Sequence, residues 1–449
     1  MLVLGYLSNG SLRIIYVSCE RCFEPRLAGR PVVVLSSNDG ACIARSNEAK
    51  DLGVRMAQPF FQVRHLVRNA GLVAVSANFE LYADMSSRMM DIADRYAPDV
   101  VPYSIDEAFL QMAGLRGDRV AIGRDLRATV LRETGLPTSV GFAPTMTLAK
   151  LANHVAKTAE RQPGAYPAHL TQVCDFATLS RAALDRVFAA TDVGAVWGVG
   201  TQIGARLVAS GVRTVLDLVR CDAAALRRQF SVVLEKTLLE LRGTPCLRLD
   251  EAPAAKQQIL VSRSFGQAVT SADGITEAVS EFASRAAEKL RDQASAARSI
   301  AVFFMTSPFR PHDRQHSVHV VTPLARPSAD TRLLVAAAVR AVRTNFREGF
   351  NYAKAGVTLI DLQPARLQQG ELDLRSPGTA EAPHGAGRDR PQLMATIDAL
   401  NRRYGRDSIH IGSAALASHG EEVRIWATKQ ERRSPRVTTR WDEMRVVRA

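Results

Sequence analysis

Asp106 and Glu107 stand side by side in "YSIDEAF" (residues 103–109), and no other charge occurs between Val100 and Met112. That stretch is largely apolar and rich in Val, Tyr, Ile and Phe, so it reads as a core strand or hairpin. Burying an unpaired carboxylate is costly, so both acids need partners, and the strongest partner available to two adjacent carboxylates is a divalent cation. The pair is a candidate metal site, and the remaining question is which other residues complete it.

The other chemistry-bearing stretches are basic or glycine-rich. "NEAKDLGV" (47–54) and "LAKLANHVAK" (148–157) place Lys50 and Lys157 on helical stretches, where a lysine either reaches an anionic group or faces solvent. His154 reads as a packed helix residue. "WGVGTQIGARL" (197–207) sets Gly198 and Gly200 around a valine ahead of a helix start that carries Arg206. Glycines at that spacing allow a hairpin whose backbone N–H groups hold a phosphate at a helix N-terminus, or a tight turn between two helices. Cys19 and Cys22 form a C-x-x-C, but without a second Cys or His pair at ligand spacing it does not read as a zinc site.

Composition narrows the class. The 449 residues carry a formal charge of +13 and a sequence pI near 9.8, which points to a polyanionic partner, foremost nucleic acid. Hydrophobic content of 46% and charged content of 23% are those of a globular protein. No run is long and apolar enough to span a bilayer and no signal peptide is evident, so the expectation is a cytoplasmic protein with no membrane partner. Six scattered cysteines fit a reducing compartment. At this length about three domains are expected.

The elements that must position these residues follow from periodicity. Residues 1 to 36 alternate strand-like stretches with a turn at "SNG" (8–10) and include the central-strand run "PVVVL" (31–35). Phe79 to Tyr96 has apolar residues at three- and four-residue spacing and predicts an amphipathic helix leading into "YSIDEAF". Helices are predicted over 121–133 and 145–158, with a strand and turn at "TSVGFAP" (138–144), and residues 180–243 read as mostly helical. From 257 to 362 the order is β-α-β-β-α-β, a small sheet with helices on one face. A Gly/Pro/Ala-rich linker (375–391) precedes a short basic tail. The fold class is a mixed α/β (α+β) multidomain protein.

Six stretches, in order and spacing, resemble the UmuC-type members of the Y-family of lesion-bypass DNA polymerases: "YVSCERCFEPRLAGRPVVVLSSNDGACIARSNEAKDLGV", "SANFELYADMS", "YSIDEAF", "TLAKLANHVAK", "VWGVG" and "SRSFG". The resemblance runs from about residue 16 to the C-terminus. It implies a right-hand polymerase: an atypical first palm strand (1–15), fingers (16–78), palm (79–176), a thumb with helix-hairpin-helix contacts (177–245), a linker (246–256), a little finger (257–363), a second linker (364–391) and a C-terminal tail domain (392–449). It makes Asp106 and Glu107 palm acids for two Mg²⁺ ions. Tyr16 becomes a steric gate against a 2′-hydroxyl, and Lys50 and Lys157 become contacts to the triphosphate. Gly198, Gly200 and Arg206 become contacts to the DNA backbone. The implied function is error-prone translesion synthesis in the SOS damage response, on primer-template DNA and deoxynucleoside triphosphates, with a UmuD-type dimer and RecA filaments as partners and a nucleoid-associated location.

The chain departs from the family pattern in three places, one of them Met146, where the family often has Lys. A third metal-bridging Asp is expected five residues before the gate tyrosine, where this chain has Ser11; counting from the first Met gives Tyr6 instead. Neither is a carboxylate. The alternatives are a catalytically impaired scaffold subunit that binds DNA and a start segment altered by a reading-frame slip. "ELDLR" (371–375) stands where a clamp-binding peptide is expected, with Glu371 and Arg375 in place of its Gln anchor and aromatic plug, which argues against sliding-clamp docking.

Overall fold

The computed structural model describes residues 1–6, 14–112, 114, 117–247, 255–367, 389–405, 408–415 and 426–444. Its residues fall into two compact units: Met1–Glu251 together with Gln430–Ala449, and Ala252–Lys429.

Among the described residues the first unit has eight strands: β1 (Leu2–Tyr6), β2 (Val32–Leu35), β3 (Cys42–Arg45), β4 (Val73–Ser76), β5 (Asp99–Ser104), β6 (Glu107–Gln111), β7 (Thr138–Phe142) and β8 (Val173–Asp175). Five of them form a sheet in the order β5-β6-β1-β7-β8, with β1 in the middle and antiparallel to both β6 and β7. Alternation along β1 explains the layers. Leu2 and Leu4 bury on one face with Tyr82, Met85 and Met89 of helix Phe79–Ala93 and Leu126 and Val130 of helix Arg119–Thr134. Val3 buries on the other face with Phe109 and helix Met146–Arg161.

Helix Met146–Arg161 approaches β7 closely because Gly141 has no side chain. A Cβ there would collide with the backbone N of Asn153 and the carbonyl O of Ala149. Asn153 then locks the contact, its Nδ2 donating to the carbonyls of Val3 at 3.1 Å and Ser139 at 2.8 Å. The helices of residues 181–241 join the same core through Val187, Phe188, Leu207 and Leu238.

The strand-like reading of residues 1–36 needs one correction, since Ile14–Phe23 is an α-helix. Its β-branched start favours a strand locally, but Ile15 and Cys19 lie one helical turn apart and both bury completely against the sheet and helix Phe79–Ala93. Tertiary burial outweighs the weak local preference. "SNG" and Ser11 lie outside the described residues. The remaining strands form a small sheet in the order β3-β2-β4, with a core of its own around Val33, Leu35, Phe60 and Val63.

The second unit has the expected β-α-β-β-α-β order: β9 (Ile259–Val269), helix Ala272–Asp292, β10 (Ser295–Thr306), β11 (Ser317–Ser328), helix Thr331–Asn345 and β12 (Tyr352–Pro364). The sheet order is β11-β10-β12-β9, and the two helices pack side by side on it. The stretch read as a tail domain (392–449) has residues in both units. Helix Pro391–Tyr404 and Trp426 belong to the second, through the Arg291–Asp398 ion pair at 2.7 Å and the aromatic contact of Trp426 with Phe282, whereas Gln430–Ala449 belongs to the first. "ELDLR" and residues 368–388 of the linker lie outside the described residues.

Candidate functional site

The acid pair sits on the tip of a hairpin. β5 and β6 are antiparallel, Asp106 lies in the turn between them, and Glu107 opens β6 opposite Gly5 of β1. Asp106 is buried at 4% exposure, and its Oδ1 accepts a hydrogen bond from Ser104 Oγ at 2.6 Å. Both Glu107 oxygens are engaged by helix Met146–Arg161, Oε2 by Lys150 Nζ at 2.9 Å and Oε1 by Lys157 Nζ at 3.4 Å. Burial pushes the Glu107 carboxyl up, but Lys157 and Lys150 more than offset it and hold it below the usual carboxylate range. Burial also pushes the Lys157 ammonium below the usual lysine value, against the pull of Glu107 and Asp106.

Lys150 was not legible as a site residue. Its Nζ lies 4.0 Å from the ring centroid of Tyr103 and 5.0 Å from that of Trp197, and Trp197 Nε1 donates to Tyr103 Oη at 3.0 Å. The aromatic faces stabilise the ammonium that pairs with Glu107. The available signal was spacing: Lys150 and Lys157 are seven residues apart, two turns along one helix face.

Lys50 sits in a cluster of cations. It lies on helix Asn47–Asp51, which starts where Ser46 Oγ accepts from Ala49 N at 3.2 Å. Its buried Nζ has no hydrogen-bond partner among the described residues, and neither has Nε of Arg45. Burial first, then Arg161 and Arg45, push the Lys50 ammonium down to about 8. Arg45 Nη1 donates to the Val54 carbonyl at 2.6 Å and Arg161 pairs with Asp51 at 3.8 Å, so within this cluster Lys50 Nζ and Arg45 Nε are the groups left to meet an anionic ligand.

Tyr16 lies in helix Ile14–Phe23 at 5% exposure, its ring stacked on Tyr82 at 4.3 Å between centroids and edge-on to Phe79 at 5.9 Å. Gly198 has φ +88°, which favours glycine, and Gly200 caps helix Thr201–Ala209. Arg206 is engaged locally, donating to the carbonyl of Gln229 at 2.8 Å with its guanidinium 4.6 Å from the Phe230 ring.

Among the described residues no group of three His, Cys, Asp or Glu side chains is gathered as a metal centre. Two hard carboxylates nevertheless suit Mg²⁺, which takes one or two protein carboxylates and completes its shell with substrate phosphates and water. Asp106 and Glu107 are two such carboxylates, with both Glu107 oxygens paired to lysines and Asp106 Oδ1 accepting from Ser104.

Family models match most of the chain. The impB/mucB/samB family matches residues 12–154 and its C-terminal domain residues 256–372, and a domain of unknown function, DUF4113, matches 391–447. Protein UmuC of Salmonella typhimurium is 41% identical over 432 residues, covering 96% of this chain and 97% of that protein. The chain belongs to the impB/mucB/samB family. Protein MucB of Escherichia coli is 40% identical over 429 residues, 95% of this chain and 96% of its own length. The fold is that of Y-family DNA polymerases: the chimera Dbh-Dpo4(243-245)-Dbh superposes with a TM-score of 0.57 at 16% identity, over 80% of this chain and 99% of that one.

In this impB/mucB/samB chain β1 runs beside the acid hairpin. Gly5 pairs with Glu107 of β6 and Tyr6 pairs with Thr138 of β7. Ser11, the other candidate for the third acid's place, lies outside the described residues. No helix among the described residues is long and apolar enough to cross a membrane.

Proposed function

We propose that this protein is a DNA-directed DNA polymerase that carries out translesion synthesis, adding deoxynucleotides to a primer 3′-end. The supporting observation is the hairpin that carries Asp106 and Glu107, with Glu107 paired to two lysines of one helix, Lys150 and Lys157. Asp106 and Glu107 would hold Mg²⁺, which when bound lowers the pKa of the primer hydroxyl and neutralises the triphosphate. Lys157 and Lys50, with Arg45 and Arg161 nearby, offer positive charge to the triphosphate, and the Tyr16 ring would exclude a 2′-hydroxyl. Residues 177–245 act as a thumb in which the turn at Gly198 and Gly200 contacts the DNA backbone, and residues 257–363 act as a little finger.

The charge of +13 supports backbone-dominated binding, which is independent of sequence and falls steeply with salt. A UmuD-type dimer and RecA filaments are the partners we propose, in the SOS response and at the nucleoid. Primer extension by purified protein on undamaged and abasic templates, in Mg²⁺ and in Mn²⁺, tests the reading. Extension past the lesion supports it; DNA binding with no extension in either metal refutes it.

A further inference from the structure

The end of the chain is strapped to the edge of the β3-β2-β4 sheet. Ser76 of β4 donates its N–H to the Arg432 carbonyl at 2.9 Å, Arg432 N–H returns to Ser76 Oγ at 2.9 Å, and Ser76 bridges Arg433 in parallel register. Asn78, just past that edge, directs its Nδ2 to Ser434 Oγ at 3.0 Å and to the carbonyls of Ser434 and Pro435, each at 3.3 Å. Two ion pairs add to the hold, Arg433 with Glu80 at 2.9 Å and Arg432 with Asp39 at 3.8 Å.

This strap ends on a buried carboxylate. Ser434 Oγ donates to Glu20 Oε1 at 3.1 Å, and Tyr82 Oη donates to the same oxygen at 2.6 Å. Glu20 is 3% exposed on helix Ile14–Phe23, and Tyr82 is fully buried on helix Phe79–Ala93. Burial pushes the Glu20 carboxyl up, and the hydrogen bonds from Tyr82 and Ser434 oppose that rise. Tyr82 is also the residue on which Tyr16 stacks, with the rings 15° from parallel. A hydroxyl from the chain's end therefore fixes a carboxylate, the carboxylate fixes a phenol, and the phenol ring carries Tyr16.

We infer that residues 430–435 are a strap that sets the position of the Tyr16 ring, and that Ser434 and Glu20 are positioning residues for sugar discrimination at the nucleotide pocket. The inference rests on the reading of Tyr16 as the steric gate. It gives a role to the last part of the region matched by DUF4113. Without Ser434, Glu20 keeps a single side-chain donor in a buried setting, and Tyr82 is free to shift with the Tyr16 ring it carries.

The test uses full-length protein on a primer-template whose primer ends in a dideoxynucleotide, so that dATP and ATP binding is read at equilibrium without chemistry. Four proteins are compared: native, Ser434→Ala, Tyr16→Ala and the double variant. Tyr16→Ala narrows the preference for dATP over ATP if the gate reading holds. Ser434→Ala is expected to narrow it by about tenfold, the size of one hydrogen bond to a charged group, with DNA affinity unchanged. In the Tyr16→Ala background Ser434→Ala has no further effect, which a general loosening of the fold would not reproduce. Amide exchange across Ile14–Phe23 and Phe79–Ala93 should rise in Ser434→Ala. A Tyr16→Ala protein with native preference overturns the gate reading and the strap with it. A narrowed preference in Tyr16→Ala beside native preference and exchange in Ser434→Ala overturns the strap alone.

Discussion

Lys150 and Glu107 form an ion pair of 2.9 Å in which the ammonium also lies 4.0 Å from the Tyr103 ring centroid. The pair joins the acid hairpin to helix Met146–Arg161 and, through the Trp197–Tyr103 hydrogen bond, to the start of the Gly198 turn. Lys150→Met removes one of the two charges that hold the Glu107 carboxyl down, so its pKa rises. The acid limb of the pH–rate profile for primer extension should then move to higher pH. Glu107→Gln should abolish extension while leaving DNA affinity near native, because the acids serve the reaction and the groove serves the backbone. The sign on stability is fixed too: a depressed carboxylate contributes stability above its unfolded pKa that is lost as pH falls through its folded pKa.

Nucleotide binding should weaken as pH rises through about 8, the value to which burial, Arg161 and Arg45 push Lys50. A triphosphate favours the charged ammonium, so binding takes up a proton once Lys50 is neutral in the free protein. Calorimetry in buffers of different ionisation enthalpy reads that uptake directly. Lys50→Met should flatten the pH dependence and weaken binding at pH 7; a pH profile identical to native would remove Lys50 from the triphosphate site.

Gly141→Ala places a methyl against the backbone of helix Met146–Arg161, where neither Asn153 N nor Ala149 O can withdraw without moving the helix. Overpacking of this kind costs about 1–3 kcal/mol. The urea midpoint of the first unit should fall, and extension should drop further than stability alone predicts, because that helix carries both Lys150 and Lys157.

Tyr6→Asp places a carboxylate on β1 one residue beyond Gly5, the partner of Glu107. It should raise Mg²⁺-supported extension by about 10- to 100-fold, the range lost when partners of a metal ligand are removed. Mn²⁺, which binds oxygen ligands in similar geometry, should narrow the gap between native and Tyr6→Asp. Ser11→Asp serves as the comparison, and a larger gain from it than from Tyr6→Asp would place the third acid at position 11 instead.

By itself the sequence determined what depends on neighbours along the chain. The acid hairpin at Asp106 and Glu107, the amphipathic helix beginning at Phe79 and the β-α-β-β-α-β order from Ile259 to Pro364 follow from periodicity, and six ordered motifs carried the family. Tertiary structure decided what depends on distant partners. Ile14–Phe23 became a helix because Ile15 and Cys19 find one buried face, against their local preference for strands. Lys150 became part of the acid site only when Gly141 let its helix settle on β7. Ser434 reached Glu20 across 414 residues of chain, a contact that no spacing rule encodes because it is set by the free edge of β4.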